Sequence, residues 1–267
     1  MGLAARRLKR ATRRRTELPE QVATRLYNPS ELIAGQSVAL DAPQTHRLRN
    51  VLRLGPGAAV AVFNETAGEW LGRLVDTGRN RYALQVEQQL RPPEATSDIW
   101  LLFAPLKRTR LDWLVEKTTE LGIAALYPVW TARTQPERLN RERLAAIATA
   151  AAEQSERLSV PEIFEPRRLD GVIAAWPAKR PLIVCDETGG GIPIAEALPS
   201  LLQNRPAALF VGPEGGFAET ELDALGKLPN VTRVGLGPRV LRAETAALAA
   251  VAVFQALAGD WCRARPR

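Results

Sequence analysis

The chain has 267 residues and carries 36 basic against 29 acidic ones, a formal net charge of +7. That length holds one large domain or two modest ones. A single histidine, His46, and two cysteines, Cys185 and Cys262, exclude a Cys/His zinc site within one chain, and any Ser-His or Cys-His catalytic pair would have to use His46.

The first 24 residues read as a basic tail. Arg6, Arg7, Lys9, Arg10, Arg13, Arg14 and Arg15 fall within residues 1–15 with no acid among them, and without these seven the chain balances at 29 basic to 29 acidic residues. The net charge therefore describes a tail and not a basic globule. Such a tail is either an arm for RNA phosphates or an extension with no fold of its own. No apolar stretch follows it, so it is not a signal peptide. The longest apolar run, residues 246–254, stops at Gln255, well short of a bilayer crossing. Two isolated cysteines suit free thiols in a reducing cytoplasm.

Residues 25–92 read as a small β-rich unit. Short strand-like runs at 58–63, 70–75 and 82–87 are separated by turn residues, Asn64 and Gly68 at one break and Gly78 and Asn80 at the next. This is the pattern of a small barrel or meander. Within it, residues 43–53 read as a helix with Leu48, Val51 and Leu52 as its apolar face and Arg47, Arg49 and Arg53 as its polar one.

The run Arg91-Pro92-Pro93-Glu94-Ala95-Thr96 reads as a linker, because consecutive prolines continue neither element. From residue 96 to 267 strands and helices alternate. Strands are expected at 99–104, 124–130 and 182–185. One helix carries Leu111, Leu114, Val115, Thr118 and Leu121 at helical spacing and closes at Gly122, and a long one spans 136–157. A final helix, 244–258, is apolar on most sides and so buried. This alternation predicts a parallel sheet with helices on both faces.

Two later segments carry the chemistry. Leu209-Phe210-Val211-Gly212-Pro213-Glu214-Gly215-Gly216-Phe217 and Val234-Gly235-Leu236-Gly237-Pro238-Arg239-Val240-Leu241-Arg242-Ala243-Glu244-Thr245 are each an apolar run that ends in a glycine-rich turn and enters a helix. That layout places a small-molecule pocket at the C-terminal ends of neighbouring strands. Neither turn has the Gly-Lys-Ser/Thr of a P-loop. The second has Val240 where a dinucleotide fingerprint needs its third glycine, and Pro238 removes an N–H that a phosphate would use. A ligand without phosphates, held by backbone groups, fits better.

These two motifs, in this order, resemble the knotted SPOUT-type RNA methyltransferases, and most closely the family that methylates N3 of a uridine in small-subunit ribosomal RNA. The resemblance extends through residues 46–54, Gly57 and Phe63-Asn64, which look like that family's PUA-like RNA-binding domain. It also covers residues 107–122, Ala132-Arg133-Thr134 and Ala152-Glu153-Gln154-Ser155. It implies an α/β protein with a C-terminal knotted parallel-sheet methyltransferase domain and a small N-terminal PUA-like β-barrel, acting as a cytoplasmic homodimer on small-subunit rRNA or the ribosomal subunit. S-adenosyl-L-methionine is the implied cofactor, with no metal and no membrane partner. On that reading Gly212, Glu214, Gly215, Gly216, Leu236, Gly237, Leu241, Glu244 and Thr245 hold the cofactor. Arg242 and Glu153 are the catalytic candidates, and His46, Arg49, Arg53, Lys107, Arg108 and Arg133 contact RNA. The general base is not assignable from the sequence. A related knotted enzyme acting on another base or on tRNA, or a non-catalytic ribosome-assembly protein that binds RNA, are the alternatives. Three positions depart from the family pattern: Glu156 where glycine is usual after Glu-Gln-Ser, Ala218 where Ser or Thr opens the next helix, and Phe63-Asn64-Glu65 where Phe-Asp-Gly is usual. With Ala218 unable to cap, Thr220 and Asp223 are expected to form a capping box one turn in.

Overall fold

Two sheets organise the chain in the computed structural model, which describes residues 22–134, 139–201 and 206–262. The basic residues of the tail lie outside the described residues. The first sheet is built from β1 (Arg25–Tyr27), β2 (Ser37–Ala39), β3 (Ala59–Asn64), β4 (Gly68–Asp76) and β5 (Tyr82–Arg91), in the order β1-β3-β4-β5-β2. All pairs are antiparallel except β1 with β3. Register shifts at Glu69/Trp70 and Leu71/Gly72 bend β4, and the sheet curls into a half-barrel over Leu26, Leu48, Val60, Val62, Leu74 and Leu84. β5 runs on through Arg91, one residue into the expected linker.

The helix expected at 43–53 is not continuous. Helix α1 (Ala42–His46) starts at an Asp41–Gln44 capping box and passes into one π-helical turn, Arg47–Val51. Arg53 then takes a left-handed φ of 54°. Leu48 is fully buried, whereas Val51 and Leu52 are exposed. The wider turn aims only one of the three apolar residues inward, which a regular 3.6-residue period does not anticipate.

The second sheet contains β6 (Ile99–Phe103), β7 (Ala125–Trp130), β8 (Glu162–Ile163), β9 (Arg167–Arg168), β10 (Leu182–Cys185), β11 (Ile192–Pro193), β12 (Ala207–Val211) and β13 (Val231–Gly235). Its order is β11-β13-β10-β12-β6-β7-β8, with β9 also beside β7, and every pair is parallel. The helices are α2 (Arg108–Glu120), α3 (Arg141–Gln154), α4 (Leu169–Ala174), α5 (Ile194–Leu201), α6 (Glu219–Gly226) and α7 (Ala243–Leu257). Ile99, Leu101 and Phe103 of β6, with Leu209 and Val211 of β12, face the core under α2, α3, α5 and α7. Leu102, Val184, Ala208 and Phe210 face α4 and α6. Both faces are covered, which is why these strands read as unbroken apolar runs.

The order of the last strands fixes the chain's path. From β12 the chain crosses β10 to reach β13, then returns so that α7 packs on α2, α5 and β12. Ala246, Ala247 and Ala250 of α7 are buried, and their small side chains admit the close approach. The two sheets meet through β3, whose Phe63 packs on Ala152 and Leu158. The short elements α4, α5 and β11 went unread in the sequence. Each is too brief to show a period, and α5 contains Pro199, which reads as a breaker.

Candidate active site

The C-terminal ends of three adjacent strands, β12, β10 and β13, open on a cavity of about 290 Å³. Its walls are the loop after β10 (Asp186 to Gly189), the turn after β12 (Gly212 to Glu214) and the segment after β13 (Leu236 to Leu241), closed by Ala243 and Ala246 of α7. Parallel strands all point their carboxyl ends to one edge, so each following loop contributes one wall.

Asp186 anchors the first wall. Its side chain is fully buried and accepts from the Thr188 N–H at 2.9 Å, the Thr188 hydroxyl at 2.7 Å, and Arg233 Nε and Nη2 at 2.9 and 2.6 Å. Burial pushes its carboxyl up, but the hydrogen bonds from Thr188 and Arg233 outweigh it and hold the group below its ordinary value. The neighbouring Cys185 thiol is raised to about 12, by burial first and then by Glu187, so it stays protonated. Two glycines allow the loops to meet. A Cβ on Gly191 would stand 2.6–2.8 Å from the backbone of Val234. Gly216 has φ +71°, and a Cβ there would lie 1.9 Å from Glu187 Oε1, the oxygen that accepts the Phe217 N–H at 2.9 Å.

The structure brings Gly212, Glu214, Leu236, Gly237 and Leu241 together around this cavity. Gly215 lines the neighbouring cavity with Lys107 and Arg133, and Arg108 follows Lys107 as the first residue of α2. Gly216 lies behind the turn against Glu187. Arg242 is the N-cap of α7; its carbonyl accepts the Ala246 N–H at 2.8 Å, while its exposed side chain caps nothing and has no ion pair among the described residues. Glu244 is buried in the first turn of α7; its Oε1 lies 3.6 Å from Arg110, which also pairs with Glu214, while its Oε2 has no partner among the described residues. Thr245 is exposed one residue on. His46 and Arg49 line a separate groove on the first sheet with Arg79 and Arg81, and Arg53 stands outside its lining.

Glu153 is not at the cavity. It is buried where α3 meets the first sheet, accepting the Tyr27 N–H at 3.1 Å and pairing with Arg47. Beside it Arg25 bonds Glu69 and the carbonyls of Glu153 and Arg157, and Arg91 bonds Glu69 and the Glu156 carbonyl. The departure at Glu156 belongs to this junction. The residue has φ 60°, a left-handed backbone for which glycine is the natural occupant. Asn64 has its own reason. Its Nδ2 donates to the carbonyls of Asn28 and Ser30 while its Oδ1 accepts from Thr66 and Ala67, a division an aspartate cannot make. Helix α6 starts at Glu219 with Ala218 as its N-cap, two residues before the expected Thr220–Asp223 box. The Glu221 carboxylate accepts the Ala218 N–H at 2.9 Å and ties down the helix end that Ala218 cannot cap.

The wall contributed by Asp186 and Glu187 was missed in the sequence. The signal was there: strand residues 182–185 are followed directly by Asp-Glu-Thr-Gly-Gly-Gly, a third strand-to-glycine turn. No group of three or more His, Cys, Asp or Glu able to hold a metal occurs among the described residues, nor is any described helix long and apolar enough to cross a membrane.

Known proteins share both this edge and the half-barrel. Residues 93–255 match the family model of the RNA methyltransferase domain and residues 40–87 that of the RNA methyltransferase PUA domain. The chain belongs to the SPOUT-type RNA methyltransferase family. It is 32% identical to ribosomal RNA small subunit methyltransferase E of Rickettsia conorii, over 89% of this chain and 97% of that one. It is 33% identical to the protein of that name from Synechocystis, over 88% and 78%. Among solved structures it is similar to a putative methyltransferase from Legionella pneumophila in complex with the bound cofactor SAM, with TM-score 0.80, 28% identity and coverage of 90% and 99%. It is also similar to ribosomal RNA small subunit methyltransferase E from Neisseria gonorrhoeae bound to S-adenosyl methionine, with TM-score 0.77, 30% identity and coverage of 89% and 99%.

Proposed function

We propose that this chain transfers a methyl group from S-adenosylmethionine to N3 of a uridine in small-subunit ribosomal RNA. The observation that carries the reading is the three-walled cavity at the ends of β12, β10 and β13. Its lining suits that cofactor: Val211, Leu236 and Leu241 offer apolar surface to an adenine, and Glu187 adds a negative charge, which favours a sulfonium or an ammonium group, while Glu214 is paired with Arg110. When bound, the cofactor supplies an electrophilic methyl group, so the protein's work is positioning. The N3 proton must be lost, to a base or to water, before N3 takes the methyl group; as the N–CH3 bond forms the S–CH3 bond breaks and S-adenosylhomocysteine leaves. Arg242, its side chain unpaired at the start of α7, would stabilise the imide anion that exists between proton loss and methyl transfer. Glu153 enters as a positioning residue that holds Tyr27 and Arg47, and hence the first sheet, against α3.

Residues 25–92 then form the RNA-binding half, with His46, Arg49 and Arg53 on it, and residues 96–267 the catalytic half. We place the protein in the cytoplasm as a homodimer with α7 and α3 at or beside the interface; sedimentation as a stable monomer at micromolar concentration would refute the dimer. The test of the activity is methylation of small-subunit particles by the purified protein, with the product nucleoside identified by mass spectrometry. Arg242→Ala is expected to lose methyl transfer far more than cofactor affinity by calorimetry. Equal losses would move Arg242 to the cofactor site, and absence of N3-methyluridine with the intact protein would sink the proposal.

A further inference from the structure

The half-barrel meets the catalytic half over a small apolar contact, Phe63 and Tyr27 on one side and Ala152, Leu158 and Val160 on the other. Charged side chains carry hydrogen bonds across it, and Arg25 of β1 is at their centre. Its Nε donates to Glu69 Oε1 at 2.5 Å, its Nη1 to the carbonyls of Ala152 and Glu153 at 3.3 and 2.9 Å, and its Nη2 to the Arg157 carbonyl at 3.2 Å. The guanidinium also lies over the Phe63 ring, 4.3 Å from its centre.

The carbonyls that Arg25 reaches end a helix. Ala152 and Glu153 stand in the last turn of α3, where carbonyls lack partners inside the helix. That turn contains no basic residue of its own, so the cation that complements its negative end comes from the other sheet. Arg157 acts similarly on α2. It donates to the carbonyl of Thr119, in the last turn of α2, at 2.6 Å and to that of Ile123, just before β7, at 2.8 Å. Burial lowers Arg157 to about 10, against the opposing pull of Asp260, so it is charged at neutral pH. Two arginines in series therefore tie β1 to the C-terminal ends of α3 and α2. The other end of α2, about 20 Å away, carries Arg110, which pairs with Glu214 of the cofactor cavity.

Such a junction favours geometry over strength. The side chains of Arg25 and Glu69 are only 11% and 9% exposed, and desolvating a pair of this kind offsets most of its attraction. Its bonds are directional and admit one arrangement, where an apolar contact of this size would tolerate several. The connection between the halves is also packed. Gly68 has φ +79°, and a Cβ there would lie 2.3 Å from the Arg91 carbonyl oxygen and 2.7 Å from the backbone of Pro92 and Pro93.

We infer that Arg25 is a positioning residue for the methyl transfer: with Arg157 behind it, it holds the half-barrel at one angle to the parallel sheet and so sets the spacing at which RNA bound on the half-barrel meets a cofactor cavity. The inference rests on the methyltransferase reading above and deepens it. Misalignment of about 1 Å costs far more in rate than in binding, so the loss should fall on kcat.

The test is steady-state methylation of small-subunit particles by the full chain at saturating S-adenosylmethionine, with cofactor calorimetry and amide hydrogen exchange. Arg25→Lys keeps the charge and loses the fork that reaches three carbonyls. It should lower kcat about ten-fold, while KM for the particle and cofactor affinity change by less than about two-fold. Exchange should quicken at residues 25–27 and 152–158 and stay unchanged in β6 and β12. Glu69→Gln, which leaves the carbonyl contacts in place, should lie between Arg25→Lys and the unaltered chain. An unchanged kcat in Arg25→Lys overturns the inference and leaves the methyltransferase reading standing. Rate, KM and cofactor affinity weakened together, or exchange quickened in β6 and β12 as well, also overturn it, by making Arg25 a support of the whole fold. An unaltered chain without activity on the particle fails the underlying reading instead, and the exchange pattern then still decides whether Arg25 fixes the junction.

Discussion

The contact between Gly216 and Glu187 links the fold to the cavity, and Gly216→Ala tests it. Alanine at φ +71° incurs the left-handed penalty, about 1–2 kcal/mol, partly offset by about 0.5 kcal/mol from the stiffer unfolded chain. Its Cβ would stand 1.9 Å from Glu187 Oε1. That carboxylate is the free end of an exposed, flexible side chain, so it swings away instead of blocking folding, and the cost is its hydrogen bond to Phe217 N–H, about 1 kcal/mol. The expected loss is about 2 kcal/mol, which for a domain of this size lowers Tm by roughly 4–8 °C. Glu187 also lines the cavity, so affinity for S-adenosylmethionine should fall as well. In a Glu187→Ala background the same glycine substitution meets no carboxylate and should cost only about 1 kcal/mol, leaving a coupling near 1 kcal/mol in the double-mutant cycle. Denaturant unfolding of the four proteins, with calorimetry of cofactor binding, measures both. An identical cost of Gly216→Ala in the two backgrounds, or a cost under about 0.5 kcal/mol in the intact protein, would refute the reasoning.

Acid should act through Asp186. Its carboxyl lies below the ordinary value of 3.8 in the folded chain, so the stability it adds is complete above that value and is lost as pH falls through the lower, folded one. Asp186→Asn should lower stability at neutral pH and flatten the decline on the acid side of pH 3.8, as read by unfolding curves across that range; an unchanged acid limb would show that the Thr188 and Arg233 bonds carry no charge dependence. Glu156→Gly should stabilise the protein by about 0.5 kcal/mol, because it removes the left-handed strain at φ 60° and offsets it with the greater freedom of the unfolded glycine. A destabilisation of that size in the same assay would show that the Glu156 side chain outweighs its backbone.

The sequence by itself determined the fold class and the motifs. Apolar runs such as residues 99–103 and 207–211, bounded by turns, mark parallel strands because both sheet faces are covered and no polar alternation survives. Gly212 and Gly237 announced their turns because a glycine run closing an apolar strand has few other uses. What only the tertiary structure decided is which loops share an edge. β10 lies between β12 and β13, although residues 182–185 precede both motifs by more than twenty positions, and that order made Asp186 and Glu187 a wall of the cavity. The surroundings of Glu153 are likewise a tertiary matter: the resemblance made it a catalytic candidate, and α3 ends beside β1, where the Tyr27 N–H and Arg47 take its two oxygens. At the π-helical turn Arg47–Val51 only Leu48 is buried, while Val51 and Leu52 stay exposed, a division that the apolar pattern of the sequence does not show. Periodicity and turn chemistry are local, and a sequence displays them. The order of strands in a sheet, and the pairing of a buried charge, depend on residues far apart in the chain and appear only once it is folded.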